Sequence, residues 1–321
     1  GISGKSVVPL ISGTACAIPA VMATRNIENW KERLITILVI PFTTCAARLP
    51  VYLIIIALVI PEGHFLGFNY QALILMLLYL IGFAMAILSA YALDRVMKRE
   101  RKTFFVVEMP NYKFPLLKNV AITVIEKTKT FVLEAGKIIL AISIILWVMA
   151  SFGPGEKFNN AEAIVSQESP DIFEVDLKDK IAAYRLEHSY IGIVGKTIEP
   201  LIKPLGYDWK IGIGLVASFA AREVFVGTLA TIYSVGSASE NEGIDTIKTK
   251  MSNERYIDGS KVFTFASGIS LLLFYAFAMQ CMSTLAIVKR ETKSWKWPII
   301  QLFSMSIIAY LFALVAFQIL K

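Results

Sequence analysis

Long apolar runs separated by short polar stretches dominate the chain. Leu34–Ile60, Tyr70–Leu93, Phe131–Phe152, Phe263–Val288 and Pro298–Leu320 are each long enough to cross a bilayer, which takes about 20 apolar residues as a helix. Two other stretches are apolar but punctuated. Val7–Ala23 holds Pro9, Gly13, Cys16 and Pro19 within 17 residues, a density of breakers that a spanning helix tolerates only where neighbouring protein satisfies the freed backbone groups. Tyr190–Tyr233 is interrupted by Gly192, Gly195, Pro200, Pro204, Gly206, Gly212, Gly214 and Gly227. Both are expected to be broken or re-entrant. Leu34–Ile60 is also interrupted, by Pro41 and Pro50, with Cys45 and Arg48 between them. Leu116–Thr130 mixes apolar residues with Lys and Thr at helical spacing, as an interfacial helix would.

Composition agrees: 56% of the 321 residues are hydrophobic and 18% charged, against about 25% charged in soluble domains. The fold class expected is an all-α polytopic membrane protein. The net charge of +7 does not point to nucleic acid, because the basic residues cluster in loops beside the apolar runs. Arg95–Lys118 carries seven Lys or Arg against two acids, and Lys289–Lys296 four against one. Gly153–His188 carries eight acids against four bases. The bias of basic residues toward the cytoplasm places the first two inside and the third outside. Ser237–Lys261, with five acids and four bases, is uninformative by itself. The opening at Gly1, inside what reads as a motif, leads us to expect a piece of a longer chain.

A weak internal repeat is legible. Leu10–Thr24 (LISGTACAIPAVMAT) and Leu215–Thr228 (LVASFAAREVFVGT) are both small-residue-rich broken segments ending in Thr. Each is followed by an apolar run with a cysteine, Cys45 in the first and Cys281 in the second. The charge bias makes these runs cross in opposite directions, an inverted repeat of gate-type helices that would bind substrate at the repeat interface. The expected organisation is a first gate repeat with its following helices and basic loop over 1–152, an external acidic loop over 153–189, and a second gate repeat with the C-terminal helices over 190–321.

Cysteine supplies the main candidate chemistry. Soft thiolate and thioether ligands suit transition metals, whereas hard cations prefer carboxylate oxygens. Cys16, Cys45 and Cys281 all lie in apolar segments, without zinc-finger spacing, and Met22, Met279 and Met282 are near them in sequence. The competing reading is packing, since a buried cysteine behaves as a small hydrophobe. Arg222 and Glu223 stand side by side in an apolar segment, where charge is costly unless paired or facing water. They read either as a gate and carboxylate ligand or as a structural ion pair. Arg48, Pro19, Pro50 and Arg222 are expected to shape the gate. His64 and His188 read as surface residues. Gly4-Lys5-Ser6 looks like the end of a P-loop, but the sequence begins too late to supply the Gly and strand that the full pattern needs upstream, and Pro9 leads into the membrane instead.

Several stretches resemble the permease core of the ferrous iron transport protein B family. They are GISGKSVVPLISGTACAIPAVMATR (Gly1–Arg25), RLITILVIPFTTCAARLPVY (Arg33–Tyr52), EMPNYKFP (Glu108–Pro115), IEPLIKPLGYDWKIGIGLVASFAAREVFVGTL (Ile198–Leu229) and QCMSTLAIVKRETKSWKW (Gln280–Trp297). The resemblance spans nearly the whole chain. It implies an Fe²⁺ importer of the bacterial inner membrane, with Fe²⁺ as cargo rather than as a resident cofactor, and no enzymatic activity in this region. It also implies partners: the lipid bilayer, a cytosolic GTP-binding domain earlier in the same polypeptide, and small cytosolic accessory proteins, with homo-oligomerisation left open. Within the family pattern, Cys16 falls in GxxCxxPAxxATR and Cys45 in PFxxCxARLPVY, both similar to metal-path residues, and Cys281 resembles a cysteine of the second repeat. Met22, Met279 and Glu223 complete the candidate path. The alternative is a nucleoside or other small-solute carrier of the same architecture, in which the cysteines would be incidental. An intramembrane zinc protease would want HExxH, which the sequence lacks.

Overall fold

The computed structural model describes residues 4–61, 63–65, 68–97, 116–168, 174–219, 222, 224–232, 251, 261–279 and 281–321. Helices dominate the described residues, and the one sheet among them is a small ribbon of β1 (His64–Phe65) and β2 (Phe68–Asn69). Four helical stretches are long and apolar enough to cross a membrane: Trp30–Val59, Tyr70–Val96, Phe265–Thr292 and Lys296–Leu320.

The chain opens with a broken hairpin, α1 (Gly4–Ser12) and α2 (Ala17–Ala23). An interrupted span follows, α3 (Trp30–Val39) and α4 (Leu49–Val59), and then the unbroken α5 (Tyr70–Val96). The same order recurs later. The helices α11 (Trp209–Ala217) and α12 (Val224–Ile232) form a contacting pair. They precede an interrupted span, α13 (Phe265–Phe277) and α14 (Met282–Thr292), and the unbroken α15 (Lys296–Leu320). Between the two sets stand α6 (Leu117–Ser151), α7 (Glu156–Asn159), α8 (Ala161–Glu168), α9 (Glu174–His188) and α10 (Tyr190–Ile202).

The two interrupted spans run in opposite directions. Glu291, near the end of α14, bonds Arg33 near the start of α3 at 2.7 Å, and also Arg25. At the other end, Gly268 near the start of α13 faces Val59 at the end of α4. Lys31 pairs with Asp94 at 2.7 Å, so α5 returns to the side from which α3 departs. That geometry agrees with the directions read from loop charge.

Several helix starts at the rims are capped by polar side chains. Asn29 accepts from Lys31 N and Glu32 N, Asp208 accepts from Ile211 N, and Thr264 forms a capping box with Ser267. Such caps satisfy amide groups that the first helical turn leaves without partners. On α5 the buried stripe is Leu78, Gly82, Ala86 and Ala90; on α15 it is Pro298, Gln301, Met305, Ala309 and Ala313. Small residues at this spacing let helices approach closely in a membrane. The opposite faces expose Leu77, Leu80, Ile87 and Leu88 on α5, and Phe303, Ile307, Leu311 and Val315 on α15, the pattern of helices that meet lipid.

Two expectations need correction. Leu116–Thr130 and Phe131–Phe152 are not an interfacial helix followed by a separate span. They form one continuous 35-residue helix, α6. At 1.5 Å per residue it is about 50 Å long, beyond a hydrocarbon core of about 30 Å, and no proline divides its charged first half from its apolar second half. The region 153–189, expected as an acidic loop, holds α7, α8 and α9, with Arg185 of α9 beside Glu162 of α8. His188 stacks on Tyr184 and bonds its carbonyl oxygen.

Gly82 marks the closest approach of α5 to the interruption in the first span. A Cβ there would stand 2.8 Å from Thr44 Oγ1 and 3.1 Å from the Phe42 carbonyl oxygen. Gly82→Ala should therefore lower the melting midpoint of the detergent-purified protein, with a cost of about 1–3 kcal/mol for overpacking. Gly136→Ala on α6, where a Cβ meets nothing within 4 Å, should be neutral or stabilising by up to about 1 kcal/mol. Equal midpoints for the two variants would contradict the packing described.

Candidate functional site

The interruptions in the helices meet in the interior. The hairpin α1–α2 breaks at Gly13–Cys16 and the span α3–α4 at Ile40–Arg48. The pair α11–α12 breaks around Ser218–Arg222 and the span α13–α14 at Ala278–Cys281. Among the described residues, one backbone hydrogen bond in each half joins the pair's break to that of the interrupted span. Ala46 N donates to Ala15 O at 3.4 Å, and Met282 N donates to Phe219 O at 3.2 Å. Both donors immediately follow a cysteine. The acceptor Ala15 immediately precedes the third.

All three cysteines occupy the residue just before a helical start. Cys16 precedes α2, Cys281 precedes α14, and Cys45 precedes the short turn Ala46–Arg48 that leads into α4. Each has an extended backbone, is half-buried and is outside any disulfide. None caps its helix with a side-chain hydrogen bond. The Cys281 thiol lies beside the Thr284 hydroxyl and the amides of Ser283 and Thr284, without the geometry of a capping bond, and in the neighbourhood of Cys45. A helix N-terminus carries partial positive charge and favours an anionic group such as thiolate.

The carbonyl ends of the interrupted helices are met by buried donors. Arg48, fully buried, donates from Nη2 to the Pro41 carbonyl at 2.9 Å. Arg222, also buried, donates from Nη2 to the Ala278 carbonyl at 2.8 Å. Gln301, reaching in from α15, donates to the Ile37 and Leu38 carbonyls at 3.3 and 3.1 Å. Hydroxyls back-bond the preceding turn at three breaks: Thr14 to Ile11 O, Thr43 to Ile40 O and Ser218 to Leu215 O. Several polar atoms around the breaks still lack hydrogen-bond partners, among them Thr44 Oγ1, Tyr52 OH, Nε and Nη1 of Arg48, and Nε and Nη1 of Arg222.

The sequence-derived candidates fall into place unevenly. Cys16, Cys45 and Cys281 sit at the converging breaks. Met279 is buried two residues before Cys281 and packs in one cluster with Val39, Phe42 and Leu285. Met22 lies six residues beyond Cys16 on α2, about 9 Å along the axis, against Ile18, Ile287 and Val288. Pro19 lies within α2, and Pro50 starts α4, where its missing N–H has no helical partner to lose. Arg222 is held by a backbone carbonyl, and Glu223 lies outside the described residues. Among the described residues no group of three His, Cys, Asp or Glu could hold a metal ion. Sequence reading missed Gln301, Thr44 and Tyr52, since single polar residues in apolar runs carry no spacing signal.

Comparison with known proteins is consistent with this architecture. A family model described as nucleoside recognition (gate) matches residues 1–59 and 132–295, and one described as ferrous iron transport protein B C terminus matches residues 75–127. A relative from Leptospira interrogans, named Fe(2+) transporter FeoB, is 43% identical over 99% of this chain and 43% of its own length. A second of that name from Leptospira biflexa is 42% identical over 100% of this chain and 44% of its own. A Porphyromonas gingivalis relative, named Fe(2+) transport protein A/Fe(2+) transporter FeoB fusion protein, is 30% identical over 99% of this chain and 38% of its own. The chain thus spans less than half the length of these relatives. No solved structure matches it.

Gln301 offers a clean test of how the breaks are held. Gln301→Leu keeps the volume and removes the donor to two buried carbonyls, so it should cost about 1–3 kcal/mol, read as a lower denaturation midpoint in mixed micelles. An unchanged midpoint would mean that these carbonyls are satisfied otherwise.

Proposed function

The chain belongs to the membrane portion of the ferrous iron transport protein B family, and we propose that it forms the path by which Fe²⁺ crosses the bacterial inner membrane. It is an all-α multi-pass membrane protein. The observation that carries the proposal is the placement of all three cysteines at helical starts that open onto converging breaks. Their sulfurs supply soft donors for a transition metal, while guanidiniums cover carbonyl ends nearby.

We further infer that the two sets of helices, α1–α5 and α11–α15, are inverted repeats about this centre. Their matching order, the opposite directions of the interrupted spans and the paired bonds Ala46 N–Ala15 O and Met282 N–Phe219 O support this. Inverted repeats of broken helices bind cargo at their interface, near the bilayer midplane. On this reading Cys16 and Cys45 lie at the first repeat's contribution and Cys281 at the second's. Met279 stands beside the path, with Met22 further along it. Glu223 remains a candidate carboxylate ligand beside Arg222. The rim held by Arg25, Arg33 and Glu291 is cytoplasmic, and the GTP-binding domain earlier in the full-length chain would act from that side. The Porphyromonas fusion favours a small accessory protein on the same side.

A second reading, a nucleoside carrier, is favoured by the description of the gate family model. Excess nucleoside should leave uptake of labelled Fe²⁺ unchanged if iron is the cargo. Competition would favour the second reading.

The thiol hypothesis is tested by uptake of labelled Fe²⁺ through the full-length transporter, normalised to folded protein in the membrane. Replacement of Cys16, Cys45 and Cys281 together by Ser keeps size and removes the soft donor, so uptake per folded transporter should fall well below that of the parent. Unchanged uptake would remove the thiols from the mechanism. Sidedness has its own test: a cysteine introduced at Gln167 should be labelled from outside the cell, and one at Thr103 should not.

A further inference from the structure

The rim that joins the two interrupted spans holds a cavity of about 670 Å³ lined by Arg25, Trp30, Arg33, Arg290, Glu291, Thr292 and Lys293. Four cations face one acid there. That acid is already engaged, since Arg25 and Arg33 both bond the Glu291 carboxylate. Even with Arg290 left aside, Arg25, Arg33 and Lys293 outnumber that one acid among the described lining residues, so the lining keeps a surplus of positive charge. Arg33 Nε is buried without a hydrogen-bond partner.

Lys293 adds a conformational signal. It closes α14 with φ 51, the one positive φ outside glycine among the described residues. A left-handed backbone is disfavoured for a side chain of this size. Glycine or asparagine would end the helix more cheaply. Ending it with lysine keeps an ammonium in the cavity lining.

The surroundings say which anion this is. Trp30 lines the cavity and is exposed, with Arg33 over its ring at 5.7 Å. Trp295, two residues beyond Lys293, is exposed and carries Lys289 over its ring at 4.1 Å. Tryptophan and basic residues gather where a membrane protein meets the headgroup layer. The first turns of α15 then expose Ile299, Ile300 and Phe303, an apolar surface that continues from the cationic mouth. A headgroup site with acyl-chain surface beside it fits an amphiphile, not a free ion.

We propose that this cavity binds the phosphate headgroup of an anionic phospholipid, which fastens α3 to α14. Basic pockets between membrane helices bind such headgroups by the same chemistry. The inference uses the membrane reading of the chain and is independent of which solute it carries.

The test uses the full-length transporter purified in detergent, with phosphatidylglycerol, phosphatidylcholine or inorganic phosphate added. Native mass spectrometry and the melting midpoint are read for the parent, for Arg290→Gln, and for Arg290→Gln combined with Lys293→Asn, asparagine being tolerant of the left-handed backbone. Lys196→Gln combined with Lys203→Gln is the control for net charge. The parent should retain phosphatidylglycerol and gain stability from it, and phosphatidylcholine should do less. The double rim variant should hold phosphatidylglycerol about thirtyfold more weakly, Arg290→Gln should fall between, and the control should match the parent. Equal retention by the parent and the rim variants would overturn the proposal, as would stabilisation by inorganic phosphate equal to that by the lipid. If the double variant does not fold, the result for Arg290→Gln decides. Fe²⁺ uptake is not part of the readout, so failure here leaves the iron reading untouched, and the reverse also holds.

Discussion

The need to satisfy backbone groups freed inside the bilayer governs this structure. Each interruption exposes carbonyls at the end of one helix and amides at the start of the next, and hydrocarbon offers neither a partner. The protein meets the demand with side chains placed for that purpose. Arg48, Arg222 and Gln301 reach the carbonyl ends, and Thr14, Thr43 and Ser218 fold back on the preceding turns. The amide starts are treated differently. At the rims several are capped by Asn, Asp, Ser or Thr, whereas three of the inner starts follow cysteines that form no capping bond. Carbonyl ends are covered and amide ends are left with a polarisable sulfur. The asymmetry sets the electrostatics of the centre.

Much of this was legible in the letters. Pro9, Gly13 and Pro19 announced the first broken hairpin, and Pro41 and Pro50 bracket the interruption between α3 and α4. Basic clusters gave the relative directions of the spans, which the Arg33–Glu291 and Lys31–Asp94 pairs now match. The interruption at Ala278–Cys281 could not be read, because those residues include neither proline nor glycine. Tertiary contacts hold it open, with Arg222 on one side and the Phe219 carbonyl on the other. The helices within 153–189 were hidden for another reason: their polarity matched an exposed loop, and charge alone does not separate a polar helix from a turn. The cysteines were visible as candidates. Their shared position before helical starts was not, since that depends on where each helix begins.

Two buried guanidiniums stand at the converging breaks, an unexpected setting for the proposed passage of Fe²⁺. Bound to carbonyl oxygens, they raise the local potential and oppose entry of a divalent ion unless negative charge develops nearby. Cysteine provides charge that can develop, because a thiol becomes an anionic ligand by losing a proton to the arriving metal's benefit. The centre thus need not carry a fixed negative charge that would attract every cation. Discrimination can rest on a ligand that ionises only for an ion able to bind sulfur, which the hard cations abundant in cells do poorly.

The backbone bonds Ala46 N–Ala15 O and Met282 N–Phe219 O are both long, at 3.4 and 3.2 Å. The second seam has a shorter link beside it, since Arg222 reaches across to the Ala278 carbonyl at 2.8 Å. Its counterpart Arg48 instead stays within its own span, on the Pro41 carbonyl. A charged donor makes the stronger bond. Two seams alike in backbone are therefore fastened unequally, and the one at Ala15 resists separation less.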